Sequence, residues 1–232
     1  KTLFSAKENS SCATRSCCNP NHALSLHVTP DGKKTDNSND VLVIDRPFKC
    51  CCLALCCFRK EITIRRPSEG VVGFVQEPNC GGVCRPKLNM YDKEGGLPLG
   101  VISGPVCCIG GCLGRTGFDV YGPDGETAIG EIQKKSKGAA NAMFSDADKY
   151  EVSFKGERSI AEKLIMISSA MFLDYLFFEG ETNCKVALCP CPPSCWCKLC
   201  QLYCFGCTCP VYLKCCYQEV VENAPANPVN KV

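Results

Sequence analysis

The sequence predicts a mainly β protein: a closed antiparallel β-barrel that encloses one C-terminal hydrophobic α-helix and is followed by a Cys-rich tail. Three observations predict it. Short apolar runs alternate with turn residues as far as residue 158; one long apolar stretch, SIAEKLIMISSAMFLDYLFFEG, fills 159–180; and cysteines crowd the chain beyond it. Short strands at hairpin spacing favour a sheet that closes on itself and so removes its edges. A helix apolar on every side must be enclosed, and a barrel interior must be filled, so each element accounts for the other.

In order, the runs at 41–44, 61–65, 71–76, 88–91, 99–103, 116–121, 128–133 and 150–154 each suit a strand. Pro30-Asp31-Gly32, Gly95-Gly96 and Pro123-Asp124-Gly125 supply turns between them. Lys1 stands inside an apparent strand with no initiator Met, so N-terminal strands of the domain are expected to be missing. The helix spans 159–180, with no charge from Leu164 to Leu173. Leu164, Ile165, Ile167, Met171, Phe172, Asp174 and Phe177 are its expected buried residues. A bilayer span needs about 20 largely apolar residues, and a carboxylate near mid-bilayer costs about 2.5 to 3.5 kcal/mol. Asp174 therefore favours a protein enclosure, which can offer it a hydrogen bond, over a spanning helix. The chain divides into a domain at 1–180 and a Cys-rich tail at 181–232 that ends in a polar segment expected to be disordered.

A chain of 232 residues with 45% hydrophobic content can bury a substantial core. With 26 basic against 24 acidic residues it carries no global field to recruit nucleic acid, which is not an expected partner. The 24 cysteines fall in adjacent runs such as Cys50-Cys51-Cys52, Cys56-Cys57 and Cys107-Cys108, which fit a disulfide framework poorly. Metal binding, lipid attachment or burial remain. His22 and His27 are the only histidines, neither near a plausible nucleophile constellation, and no Gly-rich phosphate loop follows a strand and opens a helix. No catalytic site or small-molecule substrate is expected.

In order and spacing, LFSAKENSSCATRSCC, RPFKCCC, GFVQEPNC, SGPVCCIGGC, FSDADKYEVSF and EKLIMISSAMFLDYLFFEG resemble the phospholipid scramblase family, from about Leu3 to Gly180. The resemblance implies a tubby-like fold, a closed barrel around a central hydrophobic helix. It also implies ATP-independent, calcium-stimulated movement of phospholipids between bilayer leaflets, by a palmitoylated protein on the cytosolic face of the plasma membrane, with a minor nuclear pool. The family's proline-rich N-terminal region and first strand or two are absent from this sequence.

The calcium candidate is DADKYEVSFKGE at 146–157. A 12-residue loop offering oxygens at positions 1, 3, 5, 7, 9 and 12 would use Asp146, Asp148, Tyr150, the Val152 carbonyl, Phe154 and Glu157. The middle is wrong for such a loop, since Glu151 stands where glycine should turn, and 150–154 also alternates as a strand capped by the two aspartates. Binding would be weak, about 10⁻⁴ to 10⁻³ M. The lipid candidate is Cys50, Cys51, Cys52, Cys56 and Cys57, among Leu53-Ala54-Leu55 and flanked by Lys49, Arg59 and Lys60: small apolar surroundings and cations suit S-acylation beside anionic head groups. The family carries a palmitoylated cluster there; zinc is the alternative. Lys134-Lys135-Ser136-Lys137 reads mainly as a solvated strand end. In the tail, Trp196, Leu199, Tyr203 and Phe205 among the cysteines favour a membrane patch over a metal cluster, with disorder second.

The expected function is thus that of a calcium-stimulated lipid translocator acting on membrane phospholipids. The alternative is an acylated adaptor that binds partners or acidic lipids without moving them.

Overall fold

The computed structural model describes residues 3–11, 22–30, 39–49, 59–82, 84–105, 108–109, 117–135, 149–178, 184–187, 194–204 and 207–216. Ten strands form one antiparallel sheet: β1 (Phe4–Ser10), β2 (Leu24–Pro30), β3 (Leu42–Arg46), β4 (Glu61–Arg66), β5 (Gly70–Gln76), β6 (Lys87–Asp92), β7 (Gly100–Ser103), β9 (Gly117–Tyr121), β10 (Ala128–Lys135) and β11 (Lys149–Phe154). The strands pair in that order. All eight sequence-predicted strands are present within two residues of their expected ends. Period-two alternation sets their inward face: Leu24, Leu26 and Val28 on β2, Leu42 and Ile44 on β3, Ile62 and Ile64 on β4, and Leu88 and Met90 on β6 are all buried.

The expected closed barrel is corrected. Among the described residues the ladder runs from β1 to β11 without joining them, so each of these strands is paired along one edge only. Their burial shows the same thing from the side-chain level, because no residue of β1 or β11 is buried whereas the inner strands alternate buried and half-buried positions. Among the described residues the sheet is therefore open between β1 and β11.

One helix, α1 (Ile160–Leu173), packs against β4, β5, β6 and β11 and continues into a π-helical turn at Asp174–Phe178. It starts where Ser159 caps it: the Ser159 hydroxyl accepts from the Glu162 N–H at 3.1 Å, and the Glu162 carboxylate accepts from the Ser159 N–H at 2.8 Å. The expected single helix over 159–180 is therefore a capped 14-residue α-helix plus a five-residue wider turn. Close approach to the sheet depends on glycines. A Cβ on Gly73 would lie 2.6 Å from Ile165 Cδ1, and one on Gly130 would lie 2.6 Å from Met166 Cε. At the far end Phe177 stacks on Phe118 at 5.7 Å between centroids, and the Lys134 ammonium lies 4.1 Å from the Phe178 ring centroid.

The antiparallel register brings Ser10, Leu24, Arg46, Glu61, Gln76, Lys87, Ser103, Gly117, Lys135 and Lys149 to one end of the sheet. The connections leaving that end contain every cysteine that precedes α1: Cys12, Cys17 and Cys18, then Cys50 to Cys57, then Cys80 and Cys84, then Cys107, Cys108 and Cys112. The turns PDG, GG and PDG fall in connections at the opposite end. Beyond the π-turn, β12 (Cys184–Ala187), β13 (Ser194–Cys204) and β14 (Cys207–Cys216) form a second antiparallel sheet, in which β13 also pairs β8 (Cys108–Ile109). The tail, expected as a membrane patch or as disorder, thus includes strand backbone. Its polar end at 222–232 lies outside the described residues.

Candidate functional site

The gap between β1 and β11 is a cavity of about 570 Å³ with α1 and its π-turn as the floor. Ala6 and Glu8 line it from β1, Leu26 from β2, Tyr150 and Val152 from β11, and Ile167, Ala170, Met171, Asp174 and Tyr175 from below. Helical spacing explains the floor: 167, 170, 171 and 174 recur at intervals of three and four and so share one face. The slot is mostly apolar, and among the described residues no basic one lines it.

Two hydroxyl–carboxylate pairs tie the helix to both edges of the sheet. The Tyr150 hydroxyl on β11 donates to Asp174 Oδ1 at 2.6 Å, and the Tyr175 hydroxyl on the π-turn donates to Glu8 Oε2 on β1 at 2.7 Å. Adjacent residues of the turn therefore reach opposite edge strands, and side chains hold together what no strand ladder joins. Glu8 is backed by a buried polar chain. Arg46 Nε donates to the His22 carbonyl at 3.0 Å and its Nη2 lies 3.3 Å from His22 Nδ1. Because a guanidinium only donates, a hydrogen bond there would use the Nδ1 lone pair, and the other ring nitrogen, Nε2, lies 3.7 Å from Glu8 Oε1. The Arg46 guanidinium also lies 5.2 Å from the Tyr175 ring centroid, a cation–π contact.

The slot brings together Tyr150, Val152, Ile167, Met171 and Asp174, which sequence reasoning had singled out for two different reasons. Of the residues expected to be buried on the helix, Ile165, Phe172 and Phe177 are buried and Leu164, Met171 and Asp174 are half-buried. Ile167 is the correction, at 39% exposed, because its face looks into the gap that the sheet leaves open. Asp174 has the hydrogen bond that a protein enclosure was expected to offer. Glu8, Arg46, His22 and Tyr175 were missed. Glu8 and Tyr175 are 167 residues apart, and no local pattern pairs them.

The calcium candidate fares differently. Asp146 and Asp148 lie outside the described residues. Tyr150, Val152 and Phe154 lie on β11, in continuous register with β10, and Glu157 is exposed beyond it. Four strand residues span about 13 Å, so these three positions are spread along a line and do not curl around one ion. Tyr150 instead serves Asp174, and Phe154 packs on the core. The described part of 146–157 does not fit an ion-coordinating loop and follows the strand alternative. Among the described residues no group of three or more His, Cys, Asp or Glu is placed to hold a metal.

Cys50, Cys51, Cys52, Cys56 and Cys57 also lie outside the described residues, between β3 and β4. Two of their cationic flanks are engaged within the protein: Lys49 Nζ is 3.0 Å from Glu61 Oε1, and Lys60 Nζ is 3.9 Å from Glu77 Oε1. Lys135, expected at a solvated strand end, pairs with Glu151 at 2.7 Å. Among the described residues no helix is long and apolar enough to cross a membrane.

Sheet, central helix and slot define a class: an antiparallel β wall wrapped around an apolar helix that it covers incompletely. Residues 1–180 match the Scramblase family, and the chain belongs to it. It is 30% identical to human phospholipid scramblase 1 over 180 residues, covering 77% of this chain and 53% of that protein. It is 28% identical to bovine phospholipid scramblase 2, covering 76% of this chain and 57% of that protein. With human phospholipid scramblase family member 5 it shares 28% identity over 76% of this chain and 62% of that protein. The chain spans about half the length of the first of these relatives. No solved structure matches it significantly.

Proposed function

We propose that the chain serves the movement of phospholipids between bilayer leaflets, without a conventional catalytic site and without hydrolysis. The observation that carries this reading is the slot, an apolar helix flank left open to the outside and edged by the polar groups of Glu8, Tyr150, Asp174 and Tyr175, in a chain whose relatives are named phospholipid scramblases. Such a surface suits an amphiphile, with acyl carbon against Ile167 and Met171 and polar atoms against hydroxyl and carboxylate.

Anchoring belongs to the same reading. Cysteine-bearing connections leave one end of the sheet, and the carboxyl end of α1 arrives near it, since Asp174 and Tyr175 meet Tyr150 and Glu8, within two residues of that end of β11 and β1. S-acylation at Cys50, Cys51, Cys52, Cys56 and Cys57 would turn this end toward the cytosolic leaflet of the plasma membrane, and two or more chains hold where one is reversible. Calcium stimulation is part of the proposal. The described residues of 146–157 do not fit a binding loop, so the ion would have to act elsewhere on the protein or on the membrane.

The test is transbilayer movement of a fluorescent phospholipid in liposomes containing the purified protein, with and without calcium. A protein-dependent rate that rises with calcium supports the reading. Absence of any rate would favour the adaptor, a reading supported by the edges of β1 and β11, which among the described residues have no strand beside them and could take a partner strand.

A further inference from the structure

We propose that the tail sheet is a site of reversible thiol oxidation, in which Cys184 and Cys197 form one cross-strand disulfide and Cys204 and Cys207 another. This concerns residues beyond the 1–180 match and does not depend on phospholipid movement. Cysteines adjacent in sequence bridge each other poorly, but strand register sets opposite one another cysteines that the sequence keeps apart. Between β12 and β13 the register pairs Cys184 with Cys197, Lys185 with Trp196, Val186 with Cys195 and Ala187 with Ser194, without a shift. Between β13 and β14 it ends on Cys204 opposite Cys207, with Phe205-Gly206 between them in sequence. Residues directly opposed in an antiparallel pair share a face of the sheet and have Cα atoms about 4.5 to 5.5 Å apart. A disulfide takes a Cα separation of about 4.4 to 6.8 Å, so both positions admit the bond without moving the backbone. Register also discriminates among the eleven cysteines of 184–216. Cys200 stands opposite Val211 and Cys209 opposite Leu202; Cys195 stands opposite Cys216, but the register shifts directly beside it, and that pair is not included.

The chemistry is thiol–disulfide exchange with a low-molecular-weight disulfide such as oxidised glutathione. One cysteine thiolate attacks it, forming a mixed disulfide and releasing one glutathione thiolate, and the opposed cysteine then displaces the second. Two protein thiols are thereby oxidised to one disulfide, one glutathione disulfide is reduced to two thiols, and the two protons pass from the former to the latter. Such bonds persist in an oxidising compartment and cycle in a reducing one. Because β13 also pairs β8, they tie strands of a sheet that takes in residues of the 1–180 segment.

The test is equilibration of the purified 232-residue chain with mixtures of reduced and oxidised glutathione, followed by acid quenching, alkylation of free thiols and mapping of linked cysteines by fragmentation mass spectrometry. Excess oxidised glutathione is expected to give Cys184–Cys197 and Cys204–Cys207 as the main links of the tail, and excess reduced glutathione to remove both. Cys184→Ser is expected to abolish the first link and keep the second, and Cys207→Ser the reverse, so each variant carries its own control for folding of the sheet. A variant with both Cys189→Ser and Cys191→Ser should keep both links. Four results would each overturn the proposal: Cys184 linked to Cys189 or Cys191 in the parent, links spread evenly over the tail cysteines, thiols that stay free in excess oxidised glutathione, or bound zinc that holds the same thiols. Lipid movement in liposomes is scored separately, so the two readings fail independently.

Discussion

Asp174 stands near the carboxyl end of an apolar helix, where neither lipid nor a dry core would tolerate it alone, and the Tyr150 hydroxyl is what makes the position tenable. Asp174→Leu removes that acceptor and is expected to destabilise the protein by about 1 to 3 kcal/mol. Asp174→Asn, which still accepts from Tyr150, should change stability far less. In a helix that spanned lipid, the leucine substitution would act in the opposite direction, improving insertion by about 3 kcal/mol. Urea unfolding of the two variants checks the sign. A second residue-scale contrast lies on the helix faces. Ile165 is 1% exposed and Ile167 is 39% exposed. Ile165→Ala is expected to cost about 2 to 5 kcal/mol through the cavity it leaves, and Ile167→Ala much less. Comparable losses at the two sites would mean that something covers the slot in solution.

At the scale of the element, α1 begins with a capping box, S-I-A-E, that satisfies two backbone donors reciprocally. Ser159→Ala is expected to cost about 1 kcal/mol. Burial pushes the Glu162 carboxyl up, but hydrogen bonds from the Ser159 backbone and hydroxyl, with the charge of Arg158, outweigh it and leave the group below its ordinary value. A folded pKa lower than the unfolded one means that the ionised Glu162 stabilises the fold at pH values above the unfolded carboxylate value of about 4.3, and that this contribution is lost as pH falls through the folded value. Glu162→Gln should therefore lower the melting temperature at pH 7 and converge on the parent in acid; a constant difference across pH would show that charge is not what the cap uses. The helix also depends on sheet positions that accept it. Gly130→Ala would bring a Cβ to 2.4 Å from the Ser153 carbonyl oxygen and 2.6 Å from Met166 Cε. Overpacking of this kind costs about 1 to 3 kcal/mol, readable in the same unfolding experiment.

For the whole molecule, strand order turns scattered motifs into a polarity of the particle. Hairpin connections alternate between the two ends of an antiparallel sheet, so cysteine-bearing segments far apart in sequence all leave from one end, and the tight polar turns from the other. If that end meets the membrane through acylated thiols, replacing Cys50, Cys51, Cys52, Cys56 and Cys57 with Ser should release most of the protein from membranes, measured by fractionation of expressing cells. Retention of that variant, and then of one ending at Gly180, would refute acyl anchoring by the cluster.

Much of this protein is written locally. Alternation with period two marks strands, Pro-Asp-Gly and Gly-Gly mark turns, and the uncharged run before Asp174 marks α1, because strand pleat and helical face are properties of neighbours in sequence. Family membership was legible for the same reason, through ordered short motifs. Barrel closure was not, since whether the first and last strands pair depends on a gap that no local signal measures. Nor was the slot, because Glu8 and Tyr175 acquire their relation only when the π-turn carries Tyr175 to one edge strand and Asp174 to the other. By short-range side-chain periodicity the sequence determined eight of the ten strands of the main sheet and the position of α1, but not β2 or the strands of the tail. Only the tertiary structure decided that the sheet stays open, which face of the helix is bare and which carboxylates look into the opening, because these follow from long-range packing of edges that the chain brings together at its two extremes.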